Sequence, residues 1–109
     1  MPVFAWFVFV AAAVLEVAGD AVIRAGLRGS GVAVIVTGML ILGAYGLVVN
    51  SLSWDFSRLL GVYVAVFAVV SVLCGRVVFG EDVLASTWVG LGIVVAGALV
   101  IQFGAPSAE

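Results

Sequence analysis

The sequence has no histidine or lysine, a single cysteine and only two prolines. No histidine is present and Cys74, the one thiol, has no base partner, so the sequence carries no enzyme signature, and an intramolecular disulfide is excluded. We therefore expect no enzymatic activity, no metal and no bound cofactor. Four arginines against six acids leave a net charge of −2, which also argues against nucleic-acid binding.

Charged residues of any kind are scarce, at 9% of the chain, whereas hydrophobic residues make up 66%. A soluble domain of this length needs a polar surface, with about 25% charged residues, which this chain cannot supply. The charges instead separate apolar segments of about 20 residues, the length that crosses a bilayer as a helix. The sequence predicts an all-α membrane protein in which residues 1–109 form one domain with four transmembrane helices: 3–23, 31–52, 59–79 and 84–103.

The arginines indicate how the chain is oriented. Four spans place both termini on one side together with Arg58, and place Arg24, Arg28 and Arg76 on the other side. The positive-inside rule then puts the first and third loops in the cytoplasm. A difference of three arginines to one is small, so the sequence is compatible with either orientation or with both.

Glu16 is the most unusual residue, because it lies inside the first apolar segment. A charge in the hydrocarbon layer costs about 2.5–3.5 kcal/mol or more, so the carboxylate has to be neutralised, solvated or used. By default, an intramembrane acid is interpreted as part of an ion or proton site. The alternative is a protonated carboxyl group that is hydrogen-bonded to a neighbouring helix.

Small and charged residues surround this carboxylate on the helix. Ala12, Ala13 and Gly19 are its neighbours at helical spacing, and they leave room for either a close helix contact or a cavity. Asp20 and Arg24 follow on the same face, four residues apart. We predict that these two residues form an ion pair at the helix end.

A glycine stripe on the fourth span predicts a helix–helix interface. Gly90, Gly97 and Gly104 recur every seven residues and so share one face. Small residues let two helices approach closely in lipid, so we expect Gly90 and Gly97 to mediate dimerisation. The alternative explanation is that glycine is common in membrane helices in general.

In combination, these features resemble the small multidrug resistance transporters of the drug/metabolite transporter superfamily. The resemblance implies a small-multidrug-resistance-like bundle of four helices that works as an antiparallel homodimer in the bacterial inner membrane. It covers nearly the whole chain and rests on these residues in order: Glu16, Gly19 three positions later, Arg24 eight positions later, the turn Phe79-Gly80-Glu81, and the glycines Gly90 and Gly97.

The resemblance also implies a function. Both Glu16 carboxylates of the dimer would share one pocket, in which protons and a cationic substrate compete for them. The protein would then be an antiporter, with protons as the coupling ion, that exports small hydrophobic or quaternary-ammonium cations. Gly19 is typical of the quaternary-ammonium branch of that family.

Aromatic residues complete the pocket that the resemblance implies. Transporters of that family have a tyrosine and a tryptophan three residues apart on the third helix, where this chain has Leu60 and Tyr63. Phe67 lies one turn after Tyr63, and Tyr45 lies on the second helix. Such rings can stack on a cation at about 0.5–2 kcal/mol each, or they can simply fill space.

Two other functional classes stay open. One is a lipid-related, flippase-like protein, or a relative among the uncharacterised four-helix inner-membrane proteins. The other is one half of a heterodimeric transporter, whose partner would be a paralogous chain.

Overall fold

The computed structural model describes residues 3–104, and within them 86% of the chain is helical and no β-strand occurs. All four helices are long and apolar enough to cross a membrane, so the predicted all-α membrane fold is confirmed, whereas the dimer stays a prediction. The helices are α1 (Val3–Ala25), α2 (Val32–Val49), α3 (Phe56–Val77) and α4 (Ala85–Gly104).

The observed helix ends lie within three residues of the predicted spans. α2 ends at Val49, before the predicted end, because the Asn50 side-chain amide donates to the Gly46 carbonyl at 2.9 Å and the chain then turns. α3 begins at Phe56, three residues early, because the carbonyl of Asp55 already accepts the first hydrogen bond of the helix at 2.8 Å.

Glycines make the short connections possible. After α1 the chain forms a π-type turn, Gly26–Ser30, in which Gly29 has a φ of 125°. Gly31, with a φ of 105°, leads into α2, and Gly80, with a φ of 65°, lies between α3 and α4. Residues with a Cβ atom rarely adopt such values, so these positions favour glycine.

The helices pack side by side in the order α2–α1–α3–α4. α1 is antiparallel to α2 and parallel to α3, and within residues 3–104 α4 packs against α3 alone. A Cβ atom on Gly19 would lie 3.1 Å from the Gly38 carbonyl oxygen, so glycine allows the close approach of α1 and α2. α1 is therefore the central helix of the bundle.

The two ends of the bundle are different. We call the end that holds the start of α1, the α2–α3 connection and the end of α4 the terminal face, and the opposite end the loop face. Between the bundle's middle and the terminal face, side chains of α1, α2 and α3 form a core cluster. Its fully buried members are Phe9, Ala12, Ala13, Val49, Leu59, Val62 and Tyr63.

Candidate functional site

Glu16 lies near the middle of α1, on the side that faces α3. Its side chain is half-buried, and the Tyr63 hydroxyl donates a hydrogen bond of 2.8 Å to Glu16 Oε1. Because tyrosine is the donor, this bond needs no proton on the carboxylate. The intramembrane acid thus has a specific polar partner on the neighbouring helix.

Three further rings surround Tyr63. Tyr45 of α2 stacks on it with 5.6 Å between ring centroids, and Phe67 stacks at 6.4 Å, one turn further along α3. Phe9 of α1 meets it edge-on at 5.9 Å. The structure therefore brings the predicted pocket aromatics Tyr45, Tyr63 and Phe67 together beside Glu16, from two different helices.

The small residues on α1 have two separate roles in the structure. Ala12 and Ala13 are fully buried in the core cluster, where small side chains leave space for the Tyr63 and Phe9 rings. Gly19 instead lies against α2, where an added Cβ would be 2.7 Å from Leu42 Cδ2. Of the two roles that the sequence allows, Gly19 therefore serves the close helix contact.

Asp20 and Arg24 line a recess of about 220 Å³ that opens at the loop face between α1 and α3. Within residues 3–104 the two side chains form no ion pair with each other, so their pairing stays a prediction. The recess is completed by aromatic, hydroxyl, thiol and carboxylate side chains, among them Phe67, Ser71, Cys74, Phe79 and Glu81.

A second polar group lies near the terminal face, and sequence reasoning missed it. The Trp54 ring meets Phe9 edge-on at 5.2 Å, and the Arg58 guanidinium lies 4.3 Å from the centroid of the Trp54 ring. Arg58 also donates a hydrogen bond of 3.0 Å to Gln102 Oε1 on α4. The one available signal was Gln102 itself, the only glutamine of the chain and a polar residue in the last span.

The glycines of α4 face open space. A Cβ atom added to Gly90 or Gly97 would meet no atom within 4 Å, and the same holds for Gly104. The stripe therefore takes no part in packing within the described chain. Its predicted role in dimerisation stays a prediction.

The chemistry of the site is that of a single carboxylate among aromatic rings. Within residues 3–104 no group of three His, Cys, Asp or Glu side chains could hold a metal ion. A carboxylate with a tyrosine donor and π faces can bind a proton or a cation. A function can therefore be argued from the binding of a proton or of a cation at Glu16.

Comparison with known proteins supports a family assignment. Residues 3–107 match the family described as "Uncharacterised BCR, YnfA/UPF0060 family". No curated protein and no solved structure matches the chain. The expected relation to the drug/metabolite transporter superfamily is confirmed, whereas the expected membership of the small multidrug resistance family is not. The chain belongs to the YnfA/UPF0060 family, a family of small four-helix membrane proteins related to the drug/metabolite transporter superfamily.

Proposed function

We propose that this transporter-like membrane protein exchanges protons for small hydrophobic or quaternary-ammonium cations at Glu16. The observation that carries the proposal is the Tyr63–Glu16 hydrogen bond of 2.8 Å inside a membrane-spanning helix pair. A carboxylate that is held in place, rather than turned towards water, is costly and so is retained for a use. Antiport gives that use, since a proton and a cation neutralise the same charge.

The surroundings of Glu16 suit an organic cation. Tyr45 and Phe67 stack on the buried Tyr63 ring, which is bonded to Glu16, so a cation at the carboxylate can meet only a π face that is not already stacked against another ring. Each such face attracts a cation by about 0.5–2 kcal/mol, with the larger values when water is excluded. A small alkali ion would lack the oxygen ligands that it needs, whereas an alkylated ammonium group would gain from both the rings and the charge.

A dimer is part of the proposal, because one chain of four helices encloses little space. Gly90 and Gly97 present a smooth open surface on α4, and small residues of this kind let helices of two subunits approach closely in lipid. We propose an antiparallel homodimer in the bacterial inner membrane. A heterodimer with a paralogous chain is the other form that this surface would serve.

One observation favours a lipid-like substrate as the second candidate function. A groove of about 350 Å³ runs between α1, α3 and α4 and is lined almost wholly by apolar side chains, with Gln102 at one end. An acyl chain would fit such a lining. A flippase-like protein would then move an amphiphile along this groove rather than a cation at Glu16.

Uptake into liposomes tests the proposal. In liposomes with an acidic lumen, purified protein should accumulate a hydrophobic cation, driven by the pH gradient. Glu16→Gln should abolish the accumulation, whereas the matched control Asp55→Asn, which changes an exposed acid at the start of α3, should leave it intact. A Glu16→Gln protein that still accumulates the cation would exclude Glu16 as the coupling residue. Uptake that needs an added second chain would contradict the homodimer.

A further inference from the structure

The Glu16 site is open in one direction and closed in the other. Towards the loop face, the recess with Asp20 and Arg24 begins at the Phe67 ring, which itself stacks on Tyr63. Towards the terminal face, the core cluster fills the space, and its largest members are fully buried. Within residues 3–104, polar and charged side chains thus line a recess on the loop-face side of the site, whereas buried apolar side chains fill the core on its terminal-face side.

A layered contact completes the closed end. The Trp54 ring meets Phe9 edge-on, with 5.2 Å between the ring centroids, and the guanidinium of Arg58 lies 4.3 Å from the centroid of the Trp54 ring. Trp54 belongs to the α2–α3 connection and not to a helix, so the backbone alone does not fix its ring. Its contacts with Arg58, with Phe9 and with the core cluster hold it in place.

The same arginine connects the closed end to α4. Arg58 donates to Gln102 at 3.0 Å, and Gln102 is the one polar residue that is buried on this helix. Among the helices of residues 3–104, α4 packs against α3 alone, and it carries the open glycine stripe. A shift of α4 along α3 would therefore move Gln102, then Arg58, and so loosen the Trp54 ring.

We propose that Trp54 and Phe9 form the terminal-face gate of the Glu16 site, and that Arg58 is a positioning residue that holds this gate shut by bridging Trp54 to Gln102. This inference rests on the proposed function, since a gate is useful only if Glu16 is reached from both faces in turn. One cation–π contact and one hydrogen bond are weak enough to be exchanged in each cycle. A movement of α4 in the dimer would thus be transmitted through Gln102 and Arg58 to the gate.

Thiol reactivity in lipid nanodiscs tests the gate without any transport. The native Cys74 lines the loop-face recess, and its reaction rate in the otherwise native chain is the reference rate. In a Cys74→Ser background, Ala13→Cys places a thiol in the fully buried core cluster, towards the terminal face from Glu16. A water-soluble methanethiosulfonate should modify Cys74 quickly and the Ala13→Cys thiol at least about tenfold more slowly, as expected for a site exposed only by local opening.

Loss of the bridge should then open the terminal face. Arg58→Gln and, as a second variant, Gln102→Leu should each raise the rate at the Ala13→Cys thiol by about tenfold, the factor for one lost hydrogen bond to a charged group. The Cys74 rate, measured with the same bridge variants in the otherwise native chain, should not change. Arg58→Lys, which keeps a cation near Trp54, should restore part of the slow rate.

The outcomes are distinct. Equal reactivity of the two thiols without bridge variants, no rise in either bridge variant, or a rise of both thiol rates together would overturn the gate. The proposed function fails separately, when the liposomes accumulate no cation. A gate that opens in a protein without cation transport would leave the gate in place and reject the antiporter.

Discussion

α1 and α4 are both apolar helices of about membrane-spanning length, yet they have opposite positions in the molecule. α1 lies between two neighbours and carries Glu16, Asp20 and Arg24. Within residues 3–104, α4 has one neighbouring helix, and a Cβ atom added to Gly90 or Gly97 would meet no atom within 4 Å. The helix that carries the charged residues lies between two other helices, whereas the helix with the glycine stripe lies at the edge of the described bundle.

Lipid explains this difference. In water an exposed apolar helix would be driven inwards, but in a bilayer apolar contact with lipid costs nothing, and helices associate through close packing and polar contacts. α1 has both, with Gly19 against α2 and Glu16 bonded to Tyr63 on α3. α4 has the Arg58–Gln102 bond, the contact of Ile101 with Gly61 and the buried Ala98. The glycine stripe is therefore free for a second chain.

The largest effect on cation affinity is expected at the Tyr63–Glu16 hydrogen bond between α1 and α3. Tyr63→Phe removes the donor to Glu16 Oε1. This change should weaken the free energy of cation binding by about 1.5–3 kcal/mol, which is at least about tenfold in affinity. Tyr45→Phe is the matched control, because Tyr45 shares the stack and is not bonded to Glu16. Calorimetric titration with a hydrophobic cation measures both. Equal losses in the two variants would mean that the rings, not the hydrogen bond, organise the site.

Glycine substitutions on α1 and α4 compare the two helices directly. Gly19→Val should destabilise the monomer by about 1–3 kcal/mol, because the added side chain would overlap Leu42 and the carbonyl of Gly38. The same change at Gly97 meets no atom within the chain and should leave monomer stability nearly unchanged. The free energies of unfolding of the two variants in detergent test this difference. A Gly97 variant as unstable as the Gly19 variant would contradict the edge position of α4.

Dimerisation should respond in the reverse order. Gly97→Val should weaken self-association in lipid by about 1–2 kcal/mol, because the added side chain separates the α4 helices. Gly92→Val, which adds the same bulk on another face of α4, should have little effect. Energy transfer between labelled chains at varied protein-to-lipid ratios gives the dimerisation constants of the two variants. Unchanged association of Gly97→Val would mean that the stripe faces lipid.

The smallest effect is expected at the loop face. Asp20→Asn should lower cation affinity by less than about 1 kcal/mol, since Asp20 lies in the loop-face recess and Tyr63 is bonded to Glu16 instead. The Glu81→Gln variant, which alters another acid of the same recess, should behave alike. Titration of both variants checks this. A loss at Asp20 as large as that of Glu16→Gln would make Asp20 a second coupling residue.

The sequence predicts the helices well because hydropathy and an intramembrane charge are local features. It could not predict which residue partners Glu16, because Tyr63 is 47 positions away and the rotation of α3 about its axis depends on packing. Trp54 was missed because it lies in a connection that no periodicity describes. Gly19 could be assigned to a helix contact or a cavity but not to one of them, since that choice depends on where α2 lies.

The central claim is that one carboxylate, Glu16, binds either protons or a cation. Titration of the purified protein in nanodiscs with tetraphenylphosphonium, a hydrophobic cation, from alkaline to acidic pH tests it most directly. The apparent affinity should fall on acidification, approaching about tenfold per pH unit for one competing proton, and Glu16→Gln should lose both the binding and its pH dependence. Binding that is independent of pH, or that survives in Glu16→Gln, would contradict the account.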